Sequence, residues 1–584
     1  MPKTTSIATL AAALAISSCA TANKPSPAES ADRVLTGGRI YTEDSRNPWA
    51  QAVAIKGTRF VYVGDDRGAE AHVGKATERL DLDGRLVIPG LIDGHTHPGM
   101  IGIERYGPSL PESGHEDLLT AVKAHADRAP EEEWIRMCCW SEPRYVHGRN
   151  GPRKHDLDEI VPDRPVWLTS SSWHSYWLNS RALEVLGVDR TTPDPRPGVA
   201  TYVRDQNGDP TGWVKEGAGW QHFSSVFTID PVLHRERVIE FLNVLSKLGV
   251  TTVYDGGNLD YEDEVYGLLS ELEKSGKLPL RYEGTYMIYK PERRHLAVQE
   301  MRRLRDTYGG ERLRFRTIKL FMDGINSNRS GAVLQPYADD PGYVGNTMLT
   351  ADELRDFLLE LHKEKLDLHV HAIGDLASRT VLDAVQAAKA MVEGDFYPRV
   401  TIAHLEIVDP ADWLRFAEFG VTANFTAWWH GVDADDSSNE SLGEERSSRR
   451  FTAKPLFDSG ANVTFSSDDW TLDVLSPFLG MQVGHNRQFP GEWGEGGNDV
   501  PDVLAPETEK LDLELMLKGY TINGACQLRL EDQIGSIEIG KRAELVVLDE
   551  DIFDMNRSSI HKITPLAVMM EGEFIHGEIP RTVH

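Results

Sequence analysis

Cysteine is nearly absent: Cys19, Cys138, Cys139 and Cys526 are the only four in 584 residues. So few exclude a disulfide-scaffolded fold, and none of their spacings is that of a zinc finger. Cys138 and Cys139 are adjacent, and demanding disulfide geometry leads us to expect them unpaired. Positive charge is also short. Lysine and arginine total 62 against 91 aspartates and glutamates, a formal net charge of -29. That balance argues against nucleic acid or an anionic membrane surface as partner and suits a solvated surface. The apolar run from Ser6 to Ile16 is too short to span a bilayer.

With Lys3 ahead of it, that run reads as an export signal over residues 1–18. It ends in Ile16-Ser17-Ser18-Cys19, which resembles a bacterial lipobox and implies cleavage before Cys19 and acylation of its thiol. The alternative is an ordinary signal peptide with an incidental cysteine. Residues 19–31 are polar and read as a tether. The expectation is an exported, periplasmic lipoprotein that meets the membrane only through its anchor.

Residues 32–88 hold short β-like runs punctuated by Gly37-Gly38, Gly57 and Gly64, and residues 531–584 repeat the style. Neither piece can bury a core alone, so the two ends are expected to form one composite β-sandwich domain. Residues 89–530 alternate strand and helix. The expected strands are Leu86–His95, Val250–Tyr254, Leu280–Tyr286, Phe315–Phe321, Leu366–His371, Arg399–His404, Val421–Phe425 and Asn462–Ser467. Eight such units predict an α/β, TIM-like (β/α)8 barrel. An open sheet would have the same helix lengths, so the barrel rests partly on the count. A helix is expected from Val232 to Leu248, with Asp230 as cap, Pro231 in its first turn and Gly249 as stop. Residues of about 101–228 break the rhythm and read as an insertion over the barrel mouth. Its tryptophans, Trp140 among them, either line a substrate pocket or form the insertion's own core.

Lys319 is a lone amine in the apolar strand Thr317-Ile318-Lys319-Leu320-Phe321-Met322. Burial lowers an amine's pKa and leaves it neutral and reactive. His95, His97, His371, His404 and Asp468 lie at the ends of other expected strands. One HxH pair is weak evidence in a chain with 20 histidines, but His95 and His97 sit at a strand exit with both rings on one side. Neutral imidazole suits Zn, Ni, Fe or Mn. In the pair His369/His371, His371 reads as the ligand and His369 as a deeper support. Asp468 can hold a metal and move a proton; the adjacent Asp469 is the alternative. Trp428, Trp429 and Trp470 follow the last two strands and read either as an apolar substrate wall or as packing.

Gly90-Leu91-Ile92-Asp93-Gly94-His95-Thr96-His97 resembles the opening motif of the amidohydrolase superfamily, and more narrowly its amidohydrolase-3 (YtcJ-like) group. So do His174-Ser175, Gly212-Trp213-Val214-Lys215-Glu216, Lys319-Leu320-Phe321-Met322-Asp323-Gly324, His371-Ala372-Ile373-Gly374-Asp375 and Gly535-Ser536-Ile537-Glu538-Ile539-Gly540-Lys541. The resemblance implies a metal-dependent hydrolase of non-peptide C–N bonds that uses a metal-activated hydroxide on a small amide or cyclic amide. It implies two divalent ions, zinc first, with Mn, Ni or Fe as alternatives, bridged by a CO2-derived carbamate on Lys319. His95, His97 and Asp468 would hold one ion and His371 and His404 the other. Asp468 would transfer the proton and His174 would steady the carbonyl oxygen. Esterase, lactonase or deaminase chemistry uses the same site, and a non-catalytic, lipid-anchored binding protein is the alternative of another class. A homodimer is left open. The chain departs from the pattern at Ser466-Ser467-Asp468, where relatives carry Gly-Ser-Asp, and at Cys138-Cys139-Trp140-Ser141-Glu142, where many carry Gly-Trp-Asp. For the anchor the expected outcome is direct: Cys19→Ala moves the protein from the membrane to the soluble fraction, as fractionation would read.

Overall fold

The computed structural model describes residues 30–101, 108–111, 114–146, 151–432, 438–469, 472, 474–491, 502–579 and 581. The leader, residues 19–29 of the expected tether with Cys19, and Trp470 lie outside them; Ala31, expected in the tether, is instead buried against Val34 and Ala52.

Both chain ends enter one six-stranded sheet. Its order is Glu573–Gly577, Pro565–Met570, Leu545–Leu548, Leu86–Pro89, Arg39–Tyr41 and Trp49–Ala50. Val546 lies opposite Ile88, antiparallel. A four-stranded sheet of Arg59–Gly64, Ala52–Lys56, Arg33–Thr36 and Glu78–Asp81 supplies the other face. Leu35, Val53, Phe60, Val87, Leu545 and Val547 share the apolar core between them. Neither end carries enough apolar surface to do this alone.

The expected strand Leu86–His95 is two strands. Leu86–Pro89 belongs to the small sheet and Leu91–Thr96 to the central fold. Gly90 makes the break, because a Cβ there would stand 2.7 Å from Thr251 Oγ1 and 3.2 Å from Glu544 Cβ. The other central strands are Val250–Asp255, Arg281–Gly284, Thr317–Phe321, Asp367–Ala372, Val400–His404, Thr422–Thr426 and Val463–Ser466. All pair in parallel, in two hydrogen-bonded arcs. The expected strand Phe315–Phe321 is also divided. Leu313–Phe315 pairs with Arg281–Gly284, whereas Thr317–Phe321 pairs with Asp367–Ala372 and with Met287–Ile288. The Asp468 N–H donates to the His95 carbonyl across the junction of the last and first strands (2.8 Å). Helices pack outside, as in a TIM-barrel-like α/β fold. Pro231–Lys247 starts where Asp230 accepts from Val232 N–H and Leu233 N–H, and the chain turns off at Gly249 with φ +90°.

The insertion builds its own five-stranded sheet, ordered Thr201–Arg204, Pro210–Lys215, Ser175–Leu178, Val166–Ser170 and Ile135–Trp140. Two expectations are corrected here. Trp140 is not a substrate contact. It is fully buried in the insertion's core against Tyr145 and Trp177, and its indole N–H is satisfied by the Leu168 carbonyl at 3.1 Å. Cys138 and Cys139 are bonded to each other. The parallel register explains how: Thr169 faces Cys138 but Ser170 faces Trp140, so Cys139 is the extra residue of a bulge with φ +80°.

Arg281 ties the central fold to the terminal sheet. Its guanidinium meets Glu544 at 2.9 Å and Glu571 at 3.1 Å, and its other arm donates to Thr252. All but Glu571 are nearly fully buried. Arg281→Ala leaves the Glu544 carboxylate buried without its partner and is expected to cost about 3–5 kcal/mol, read as a drop in the denaturant midpoint.

Candidate metal centre and substrate pocket

Parallel pairing stacks the site in two levels. Lys319 lies beside His369 on adjacent strands, and one level up Phe321 lies beside His371. Ala372 pairs with His404, which brings that ring to 4.5 Å from His371, centroid to centroid. Lys319 Nζ is 3.0 Å from His95 Nε2. Asp468 Oδ1 is 3.4 Å from Nε2 of both His95 and His97, and its Oδ2 is 3.3 Å from His404 Nδ1. The six side chains singled out from the sequence therefore converge. Asp469 is not an equal alternative: its carbonyl accepts from His97 N–H and Thr96 Oγ1, and its carboxylate accepts from Val474 N–H.

Three of the four rings are held by their far nitrogens. His95 Nδ1 meets His369 Nε2 at 2.9 Å, His97 Nδ1 meets the Gly257 carbonyl at 3.3 Å, and His371 Nε2 meets the Gly324 carbonyl at 3.3 Å. Such contacts fix the tautomer and aim the remaining nitrogen at the centre. His369 is thus the support it was expected to be, stacked on Tyr254 at 4.4 Å. His404 and Asp468 adopt φ +77° and +51°, left-handed backbone that non-glycine residues hold only when their surroundings impose it.

Burial sets the charges. His95, His371 and His404 are pushed well below the usual imidazole range, so they are neutral donors. Burial also pushes Lys319 down to about 7, against the pull of Asp468 and Asp255.

Two acids were passed over in the sequence. Asp93 is fully buried between the first and last strands. It accepts from Ser467 Oγ (2.6 Å), Ser467 N–H (3.1 Å) and His95 N–H (3.2 Å), and burial lifts it to about 7. It therefore fixes the backbone beside both His95 and Asp468. Glu216, with φ +54°, places Oε2 2.5 Å from His174 Nδ1. Burial pulls His174 down, but Glu216, with Glu142 and Asp468, outweighs it and holds the imidazole above its ordinary value. Only the strand pairing of the insertion brings these two together (Ser175 opposite Lys215), so no sequence spacing announces them.

The cluster lies under a cavity of about 530 Å³ lined by His174, Trp428 and Trp429 among others. Trp429 stacks on His404 at 5.4 Å, and Trp428 donates to the Ser467 carbonyl at 2.8 Å.

The Amidohydro_3 model of the amidohydrolase family matches residues 78–576. The chain belongs to this amidohydrolase family. Among curated amidohydrolase relatives, it is 26% identical to N-substituted formamide deformylase of Arthrobacter pascens over 93% of this chain and 97% of that one. It is 28% identical to YtcJ of Bacillus subtilis (strain 168) over 92% and 98%. An uncharacterized metal-dependent hydrolase from Pyrococcus furiosus superposes with a TM-score of 0.62 at 25% identity, over 89% of this chain and 99% of that one.

The donors of this amidohydrolase fit a divalent cation. His95, His404 and Asp468 offer atoms within 4.8 Å of one another, and buried His404 Nδ1 has no hydrogen-bond partner. Asp93→Asn is expected to lower bound metal by at least about half, measured by elemental analysis, because an amide cannot accept from both backbone and hydroxyl as the carboxylate does.

Proposed function

We propose that this amidohydrolase-family chain, a metal-dependent hydrolase, cleaves a non-peptide C–N bond in a small amide or cyclic amide. The observation that carries the reading is the convergence of His95, His97, Lys319, His371, His404 and Asp468 beneath one cavity. The relative that acts on N-substituted formamides supports an amide as substrate.

In this reading His95, His97 and Asp468 hold one divalent ion, and His371 and His404 hold another. Lys319, whose amine burial lowers to about 7, would add CO2 with loss of one proton, and the carbamate would supply further oxygen donors to the ions. Ions of this kind, zinc first among Zn, Mn, Ni and Fe, polarise a carbonyl and acidify water. Asp468 takes the proton of the attacking water and hands it to the leaving nitrogen. His174, held by Glu216, donates to the carbonyl oxygen as charge builds there. Trp428 and Trp429 screen the reacting atoms from bulk water. Export and anchoring through Cys19 belong to the same proposal.

Three experiments test it. Turnover of an amide panel should vanish on chelation and return with zinc; turnover of esters or lactones alone would change the reaction class. Lys319→Ala should lose most metal and rate, with partial rescue by acetate. Full metal content and rate in that variant would remove the bridge. Asp468→Asn should lower kcat by about 10²–10⁴-fold with an unchanged far-UV spectrum, and an unaltered kcat would end its assigned role.

A further inference from the structure

Two acids, Glu142 and Glu216, are buried beside one imidazole, His174. Glu216 takes it: Oε2 lies 2.5 Å from His174 Nδ1, and Oε1 accepts from Ser330. Glu142 is left over. It lines the cavity at 2% exposure; Ser172 and Ser175 hydrogen-bond its carboxyl and the His174 charge reaches it, but its Oε1 has no hydrogen-bond partner and no lysine or arginine forms an ion pair with it among the described residues. Lys215, close enough to feel its charge, instead donates to the Asn328 carbonyl and lies over the Trp213 ring. A buried carboxylate oxygen without a direct donor is costly, so it gains from a ligand that brings one.

The rest of the wall suits such a ligand. Trp173, Trp220 and Phe223 line the same cavity, and ring faces attract cations. The lining carboxyls are those of Glu142, Glu406, Asp468 and Asp469, and among the described residues no lysine or arginine joins them.

We propose that Glu142 is a specificity residue that holds an ammonium or amine N–H of the substrate. The cavity accordingly takes aromatic amides that carry a basic nitrogen and rejects those that carry a carboxylate. What becomes of the amide rests on the hydrolase reading; what enters rests on the cavity.

Three probes without a scissile bond separate the two. 3-Phenylpropylamine, 3-phenylpropanol and 3-phenylpropionate share one aromatic frame and differ in charge. Titration calorimetry on the metal-loaded protein should find the amine binding about 100-fold tighter than the carboxylate, with the alcohol between. Glu142→Gln should weaken the amine about tenfold and narrow that ratio, and Glu142→Asp should restore part of it. Carboxylate binding equal to or tighter than the amine in the unmutated protein overturns the proposal, as does a Gln variant, folded by circular dichroism, that keeps the full ratio. Failure of all three to bind overturns it too. If this affinity order holds while the matching amides are not hydrolysed, the hydrolase reading falls and the specificity assignment stands.

Discussion

A lysine amine sealed among imidazoles is the constraint around which the molecule is arranged. Lys319 has no exposure to water, and its nearest nitrogen neighbour belongs to His95, a group with no negative charge to offer. A charged ammonium there would lose its hydration without a close counter-ion. The protein answers by keeping the cluster neutral. Burial lowers the Lys319 amine to about 7 and pushes His95, His371 and His404 well below the usual imidazole range, around the Asp468 side chain. A set of neutral nitrogens around one carboxylate has little reason to exist as packing and good reason to exist as a cation site.

That set is held in turn by residues behind and beside it. Asp93 pins the first strand to the turn after the last, where Asp468 leaves ordinary backbone geometry. His369, Gly257 and Gly324 each take the outer nitrogen of one ring. The insertion contributes from above: Glu216 steers His174, and the bulge at Cys139 precedes Glu142 on the same stretch of chain. The strain at His404, Asp468 and Glu216 thus falls on residues of the candidate site.

Much of this was legible in order. The HxH of His95 and His97, the apolar strand around Lys319, and the strand-end positions of His371, His404 and Asp468 can be read one by one, because strand termini and period-two spacing are local properties. The cap at Asp230 and the stop at Gly249 were legible for the same reason. Trp140 was not. An aromatic residue in an insertion reads alike whether it faces a substrate or a Tyr145–Trp177 core, and only its neighbours distinguish the two. The Cys138–Cys139 bond was missed because an isolated dipeptide disfavours it, whereas a bulge imposed by the neighbouring strand brings the sulfurs together.

The sequence by itself determined the chemistry available: neutral imidazoles, one buried amine, a carboxylate at the end of the last strand, and two β-rich ends too small to stand alone. Tertiary structure decided the rest. It chose Asp468 over Asp469, divided the first expected strand at Gly90 between two sheets, and gave Glu216 to His174 while leaving Glu142 Oε1 without a donor. Each of those outcomes depends on which atoms approach from a distant segment. Charge, burial and hydrogen bonding are properties of neighbours in space, and a linear order of residues does not contain them until the chain has packed.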